Sequence, residues 1–260
     1  MPNDRADLPG DPESLSVTTT DGVPLSALVY GTADADVAIV FGHGFTGSQR
    51  NRRVVDLARR LAGAGHAVYT ADFRGHGASG GLSTLGDREV HDLEAVLDVA
   101  RRRHRKVVSV GASMGGFVAL RHAGLGGNVD AVVAISSPAV GNDPALPRAR
   151  LLRTAVRTTR GRRLLERYGT RVAQFTPVAS APLDLAADIA PIPVAIIHGT
   201  RDRYVPISDA HAIYARLGEP RRLVVLPRFG HGEAGFTAEF AELLERLILD
   251  LLPNGRDDVR

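Results

Sequence analysis

Lys106-Val107-Val108-Ser109-Val110-Gly111-Ala112-Ser113-Met114-Gly115-Gly116-Phe117-Val118-Ala119-Leu120 decides how the rest of this chain is read. The first five residues are rich in valine and suit a buried strand, and the last four suit a helix. Between them a serine stands among small residues at a strand-to-helix turn, the setting of a nucleophile elbow. So sharp a bend crowds the side chains two positions before and after the serine. Glycine at 111 and 115 removes the collision and lifts the Ser113 hydroxyl clear of the sheet.

Outward from the elbow, short β-rich runs alternate with helical ones. Residues 37–41, 67–71, 106–110 and 129–135 predict strands, with helices at 52–64, 88–103 and from Met114. Residues 194–198 and 222–226 predict two later strands around a helix near 208–217, and residues 237–252 a closing helix. Near the N-terminus, residues 16–20 and 25–30 flank the turn dipeptide Asp21-Gly22 and predict a hairpin. The pattern implies an α/β protein with a mostly parallel, doubly wound central sheet covered on both faces.

Three segments follow from the pattern. Residues 1–14, rich in Pro, Asp and Gly, are expected to be a flexible tail. Residues 15–139 and 191–260 form the core. Residues 140–190 break the rhythm, with prolines at 144, 147, 177 and 182 and no strand signal. They are expected to be a small helical cap over the carboxyl ends of the strands, where ligands bind in such sheets. An amphipathic helix is predicted around residues 151–168, with Leu151, Leu152, Ala155, Val156, Leu164 and Leu165 turned to the core.

The chain has 260 residues, 44% of them hydrophobic and 23% charged, enough for one full core. No apolar run reaches the roughly 18 to 20 residues that cross a membrane, and cysteine is absent. The polar N-terminus lacks the apolar stretch of a secretion signal, so the expected location is cytoplasmic. The sequence pI is 9.7, yet the formal net charge is only +3 and Lys106 is the sole lysine. The arginines are spread along the chain, and Arg101-Arg102-Arg103-His104-Arg105 suits the last turn of a helix. No nucleic-acid-binding motif accompanies them, and nucleic acid is not an expected partner.

A serine hydroxyl is a weak nucleophile at neutral pH and needs a base, an orienting carboxylate and donors for the developing oxyanion. Candidates for all three fall in loops at one sheet edge. Arg228-Phe229-Gly230-His231-Gly232 follows the last predicted strand, which makes His231 the candidate base. Gly199-Thr200-Arg201-Asp202-Arg203-Tyr204-Val205-Pro206 follows the strand before it and presents Asp202 as the candidate acid, with Asp143 as a rival. Phe41-Gly42-His43-Gly44-Phe45-Thr46-Gly47 follows the first parallel strand. Its glycines let the backbone approach a ligand, so the amide of Phe45 can stand beside that of Met114 as an oxyanion donor.

These loops, together with Asp72-Phe73-Arg74-Gly75-His76-Gly77-Ala78-Ser79, resemble the α/β-hydrolase superfamily from about Val37 to the end of the chain. The His43–Gly47 and Arg74–Gly77 forms look most like the small-cap esterase, monoacylglycerol lipase and serine aminopeptidase branch. The resemblance implies Ser113 as nucleophile, Asp202 as acid, His231 as base, and Phe45 and Met114 as oxyanion donors. The Arg74–Gly77 segment is expected to be a structural turn.

The expected reaction is hydrolysis of a small-molecule carboxylic ester through an acyl-enzyme, with no metal or other cofactor. Amide or peptide, thioester and carbon–carbon hydrolysis and perhydrolysis use the same residues, and a non-catalytic binding member of the fold is the alternative from another class. Within 140–190, nine arginines outnumber four acids. Attraction of an anionic substrate or acidic lipid surface is one reading, and a solvated helix face is the other.

Overall fold

The computed structural model describes residues 11–141 and 146–252. In chain order the elements are β1 (Glu13–Thr18), β2 (Pro24–Tyr30), β3 (Val37–Gly42), α1 (Arg52–Gly63), β4 (Ala67–Ala71), α2 (Glu89–Arg101), β5 (Lys106–Ala112) and α3 (Met114–Gly124). They continue with β6 (Ala131–Ile135), α4 (Pro147–Arg157), α5 (Thr159–Arg167), α6 (Pro182–Leu185), β7 (Val194–Gly199), α7 (Ile207–Arg216), β8 (Arg221–Leu226) and α8 (Ala238–Leu251).

Strands with apolar residues at both odd and even positions must be buried on both faces. Every residue of β3, β4, β6 and β7 is buried. These strands lie inside one sheet of order β1-β2-β4-β3-β5-β6-β7-β8. From β4 to β8 all neighbours are parallel, while β1 and β2 add an antiparallel edge. Chain order runs from β3 outward to β4, then back across β3 to β5. The order of winding therefore reverses between the parallel neighbours β3 and β5, the kind of switch point at whose carboxyl ends ligands bind in such sheets.

Alternate residues of each strand serve opposite faces. Ala38, Val40, Val132 and Ala134 pack with α2, α3 and α7 through Leu97, Val118, Leu120 and Ile213. Ile39, Phe41, Val133 and Ile135 pack with α1 and α8 through Leu57, Leu61, Leu244 and Ile248. Burying each of the valine, leucine, isoleucine and phenylalanine side chains contributes about 1.5–3 kcal/mol. That clamps the strand ends, and hence the loops leaving them, in fixed positions.

Three expectations are corrected. Strand β1 starts at Glu13, inside the expected tail, because the backbones of Glu13 and Ser14 pair with Val29 and Leu28 whatever their polar side chains prefer; residues 1–10 lie outside the described residues. The single helix expected around 151–168 is two. Thr158 is extended at φ −107° and ψ 142°, and its hydroxyl accepts the Gly161 amide to start α5 afresh. The break separates the apolar faces of the two halves, so Leu151 and Leu164 are 73% and 52% exposed while Val156 is buried.

The stretch after α5 is stitched to the turn after β4. The Arg171 amide donates to the Gly75 carbonyl (2.7 Å), and the amides of Ser83 and Ala173 close the ladder. Gly75 has φ +75°, and a Cβ there would lie 2.3 Å from the Arg171 carbonyl oxygen. Behind this turn Arg74 is buried, bonded to Asp92 and Asp21. Among the described residues no helix is long and apolar enough to cross a membrane.

Candidate active site

Ser113 sits at the end of β5 with φ +53°, a left-handed conformation that L-residues seldom adopt. The backbone holds it there. The Ser113 amide donates to the Ile135 carbonyl (2.8 Å), and the Ser113 carbonyl accepts the Phe117 amide. The flanking glycines are sterically required. A Cβ at 111 would lie 2.2 Å from the Gly115 carbonyl, and a Cβ at 115 would lie 2.0 Å from the Gly42 carbonyl oxygen. The second contact ties the elbow to the end of β3, beyond the crowding within the turn that the sequence suggests.

Ser113, Asp202 and His231 come together. His231 Nε2 lies 2.9 Å from Ser113 Oγ, and its Nδ1 lies 2.8 Å from Asp202 Oδ2. An ionised carboxylate can only accept, so in the neutral ring Nδ1 carries the proton and Nε2 presents a lone pair to the hydroxyl. The Asp202 side chain is 1% exposed. Burial pushes its carboxyl up. The hydrogen bond and charge of His231, with the amides of Val205 and Tyr204, outweigh that and hold it below the ordinary value. Those amides donate to Oδ1 at 3.0 and 2.8 Å, leaving Oδ2 for the imidazole. The rival acid, Asp143, lies outside the described residues.

Phe45 and Met114 line the same cavity as Ser113 and His231. Neither backbone N–H has a hydrogen-bond partner among the described residues, and Met114 opens α3, whose N-terminal amides are free. The Phe45 loop is held from behind. His43 Nδ1 donates to the Gly44 carbonyl (2.7 Å), and its Nε2 accepts the Phe73 amide (3.0 Å). Burial, helped by the neighbouring His76, pushes the His43 pKa down to about 3, so the ring is neutral. His76 Nε2 donates to the Phe45 carbonyl.

Several contacts escape sequence reasoning. The Glu233 carboxylate accepts the Gly44 amide at 2.6 Å. The Tyr204 ring lies 4.8 Å from that of His231. Buried His198 has Nε2 3.7 Å from Asp202 Oδ2, and burial holds its pKa below the ordinary histidine value. The Ser136 hydroxyl accepts the Gly232 amide (3.1 Å) from a residue at φ +52°. No motif or spacing marks these partners in the sequence. Among the described residues no group of His, Asp and Glu is arranged to hold a metal ion.

The cavity beside Ser113 measures about 190 Å³. Its walls are mainly apolar, from Leu85, Met114, Phe117, Leu152, Val156 and Phe175, with Asp209, Tyr204 and Arg153 as polar points. Chemically, the site pairs a hydroxyl and a base with two free amides beside an apolar recess.

Comparison with known proteins agrees with this architecture. Residues 33–182 match the family described as serine aminopeptidase, S33. The uncharacterized protein YfhR of Salmonella typhi is 25% identical over 266 residues, covering 94% of this chain and 82% of its own. A monoacylglycerol lipase of Mycolicibacterium smegmatis is 28% identical over 272 residues, covering 88% of this chain and 92% of its own. Among solved structures, the Pyrococcus furiosus esterase Pf2001 superposes with a TM-score of 0.74 at 23% identity, covering 93% of each chain, a likeness of fold.

Proposed function

The chain belongs to the serine aminopeptidase (S33) family of α/β hydrolases, and from that premise we propose that it hydrolyses carboxylic esters through an acyl-enzyme on Ser113. The observation that carries the proposal is His231, bonded through one nitrogen to Ser113 and through the other to buried Asp202. Ser113 Oγ attacks the ester carbonyl carbon while its proton passes to His231 Nε2. Asp202 stabilises the imidazolium without taking the proton. The negative charge formed on the carbonyl oxygen is met by the amides of Phe45 and Met114, each donor being worth about 3–4 kcal/mol in such sites.

Collapse of this intermediate breaks the bond to the alkoxy oxygen, which leaves as the alcohol with the proton from His231. Water then attacks the acyl-enzyme, giving its proton to His231 and the acid to solvent, and Ser113 recovers its proton. The apolar recess supports an acyl group rather than a charged one as its occupant. Residues 140–190 act in this proposal as a cap, since Leu152 and Val156 of α4 face the recess. The esterase and monoacylglycerol lipase among its likenesses favour an ester over an amide substrate.

The test is a panel of p-nitrophenyl esters of rising acyl length, with thioester and anilide analogues, on wild type and Ser113→Ala. Ester turnover that vanishes with Ser113, together with labelling of Ser113 by a fluorophosphonate, is expected. Turnover of anilides alone would make the protein an amidase, and no Ser113-dependent turnover or labelling would end the hydrolase reading.

A further inference from the structure

We propose that Glu233 is a positioning residue that sets the direction of the Phe45 amide by tying the loop of the general base to the loop of the oxyanion donor. The proposal rests on the roles given above to Phe45 and His231.

Gly44 stands between two peptide planes. The plane that follows it holds the Gly44 carbonyl and the Phe45 N–H, which point in opposite directions because the peptide is planar and trans. The Gly44 carbonyl is fixed by His43 Nδ1 and by the Gly47 amide at 2.8 Å. Both donors belong to the same loop, so they stiffen it without anchoring it. On the β4 side the anchors are the Phe73 amide on His43 and His76 on the Phe45 carbonyl. On the side facing His231, the tie is the Gly44 amide to Glu233 Oε1.

Glu233 is well placed for this work. It lies two residues beyond His231, and the intervening Gly232 is pinned through its amide to Ser136. The Arg53 guanidinium, at the start of α1, donates to the carbonyls of Glu233 and Ala234. Loop, carboxylate and nucleophile meet at one point. A Cβ built on Gly44 would lie 3.2 Å from Glu233 Oε2 and 3.5 Å from Ser113 Cβ. A carboxylate this close to a forming oxyanion opposes it electrostatically. The role assigned to Glu233 therefore lies in its reach to the Gly44 amide, not in its charge. With Glu233 in place the base and the donor move as one body.

The experiment separates reach from charge by comparing Glu233→Ala, Glu233→Asp and Glu233→Gln for kcat, KM, the rate of fluorophosphonate attachment to Ser113, and thermal midpoint. Ala loses the tie, and Asp keeps the charge but falls a methylene short. Both are expected to lower kcat about 10- to 100-fold, with KM within about 2-fold. The phosphonylation rate should fall by the same factor, because the phosphonyl oxygen occupies the oxyanion position. Gln keeps an acceptor at the same reach and is expected to stay within about 3-fold of wild type. The proposal is overturned if Ala and Asp match wild type, if Gln loses as much as Ala, or if the loss falls on KM or the thermal midpoint while kcat of the folded protein is kept. A wild type lacking Ser113-dependent turnover overturns the hydrolase reading itself, a distinct result.

Discussion

His231 Nε2 stands 2.9 Å from Ser113 Oγ although 118 positions of chain separate the two residues. Parallel strands close the gap. β5 and β8 both deliver their carboxyl ends to the same edge, so the loops that follow them meet. The same edge receives the loop after β7, whose Asp202 bonds the other nitrogen of His231.

Asp202→Asn is expected to lower kcat by about 10⁴-fold while leaving the fold intact, because the amide leaves the imidazole in the wrong tautomer. Asp143→Asn is expected to stay within a few-fold of wild type. Steady-state kinetics of the two variants with a circular dichroism check decides the matter, and the opposite pattern would move the acid to Asp143.

Gly115→Ala places a methyl group 2.0 Å from the Gly42 carbonyl oxygen, a backbone atom that cannot step aside. We expect a loss of about 3 kcal/mol in urea denaturation, with activity lost as the elbow shifts away from β3. Gly65→Ala is the control. Open space surrounds that position, and only its φ of +96° resists the change, so activity should persist in the folded protein.

Stability should fall on mild acidification because of His43. Its pKa is about 3 when folded and about 6.5 when unfolded. Between those values the unfolded chain binds a proton that the folded chain refuses. The contribution is therefore complete above about 6.5 and shrinks as pH drops towards 3. Between pH 7 and pH 5 this one group should cost about 2 kcal/mol. Urea titrations at the two pH values read the loss directly, and a flat profile would refute the buried neutral ring.

Arg74→Met should damage the fold and spare the chemistry. The guanidinium is 3% exposed and bonded to Asp92, itself 1% exposed. Removing it strands a buried carboxylate, at a cost of about 3–5 kcal/mol. We expect a lower denaturation midpoint with kcat of the folded protein within a few-fold of wild type.

Leu152→Trp should shorten the preferred acyl chain, because the larger ring intrudes on a recess of only about 190 Å³. The p-nitrophenyl ester panel measures the shift; an unchanged optimum would place the acyl group elsewhere.

The sheet was legible because its central strands, such as Val37–Gly42, are apolar on both phases, a pattern few alternatives share. Ser113 and Asp202 could be proposed from the sequence because each follows such a strand in a glycine-marked loop, whereas His231 follows the half-exposed β8 and was marked by its glycines and its place before the last helix. What escaped notice lacks periodicity. The helix break at Thr158 is set by one hydroxyl capping Gly161, while the amphipathic pattern runs through it undisturbed. Glu233 reveals nothing until folding brings it to Gly44, 189 positions earlier. Burial of Arg74 likewise depends on Asp21 and Asp92 arriving from separate elements.

The strands β6 and β7 lie side by side, with Ile135 opposite Ile197, although the chain makes its longest excursion between them. Departure and return thus share one doorway. Widening or trimming that excursion changes the entropy of closing it only logarithmically with length, while the doorposts stay locked in the sheet. Leu152, Val156 and Phe175 of this stretch line the recess, so variation here changes its walls while β6 and β7 stay paired. If residues 140–190 are the cap proposed above, exchanging the whole segment between relatives is expected to change substrate preference on an unaltered frame.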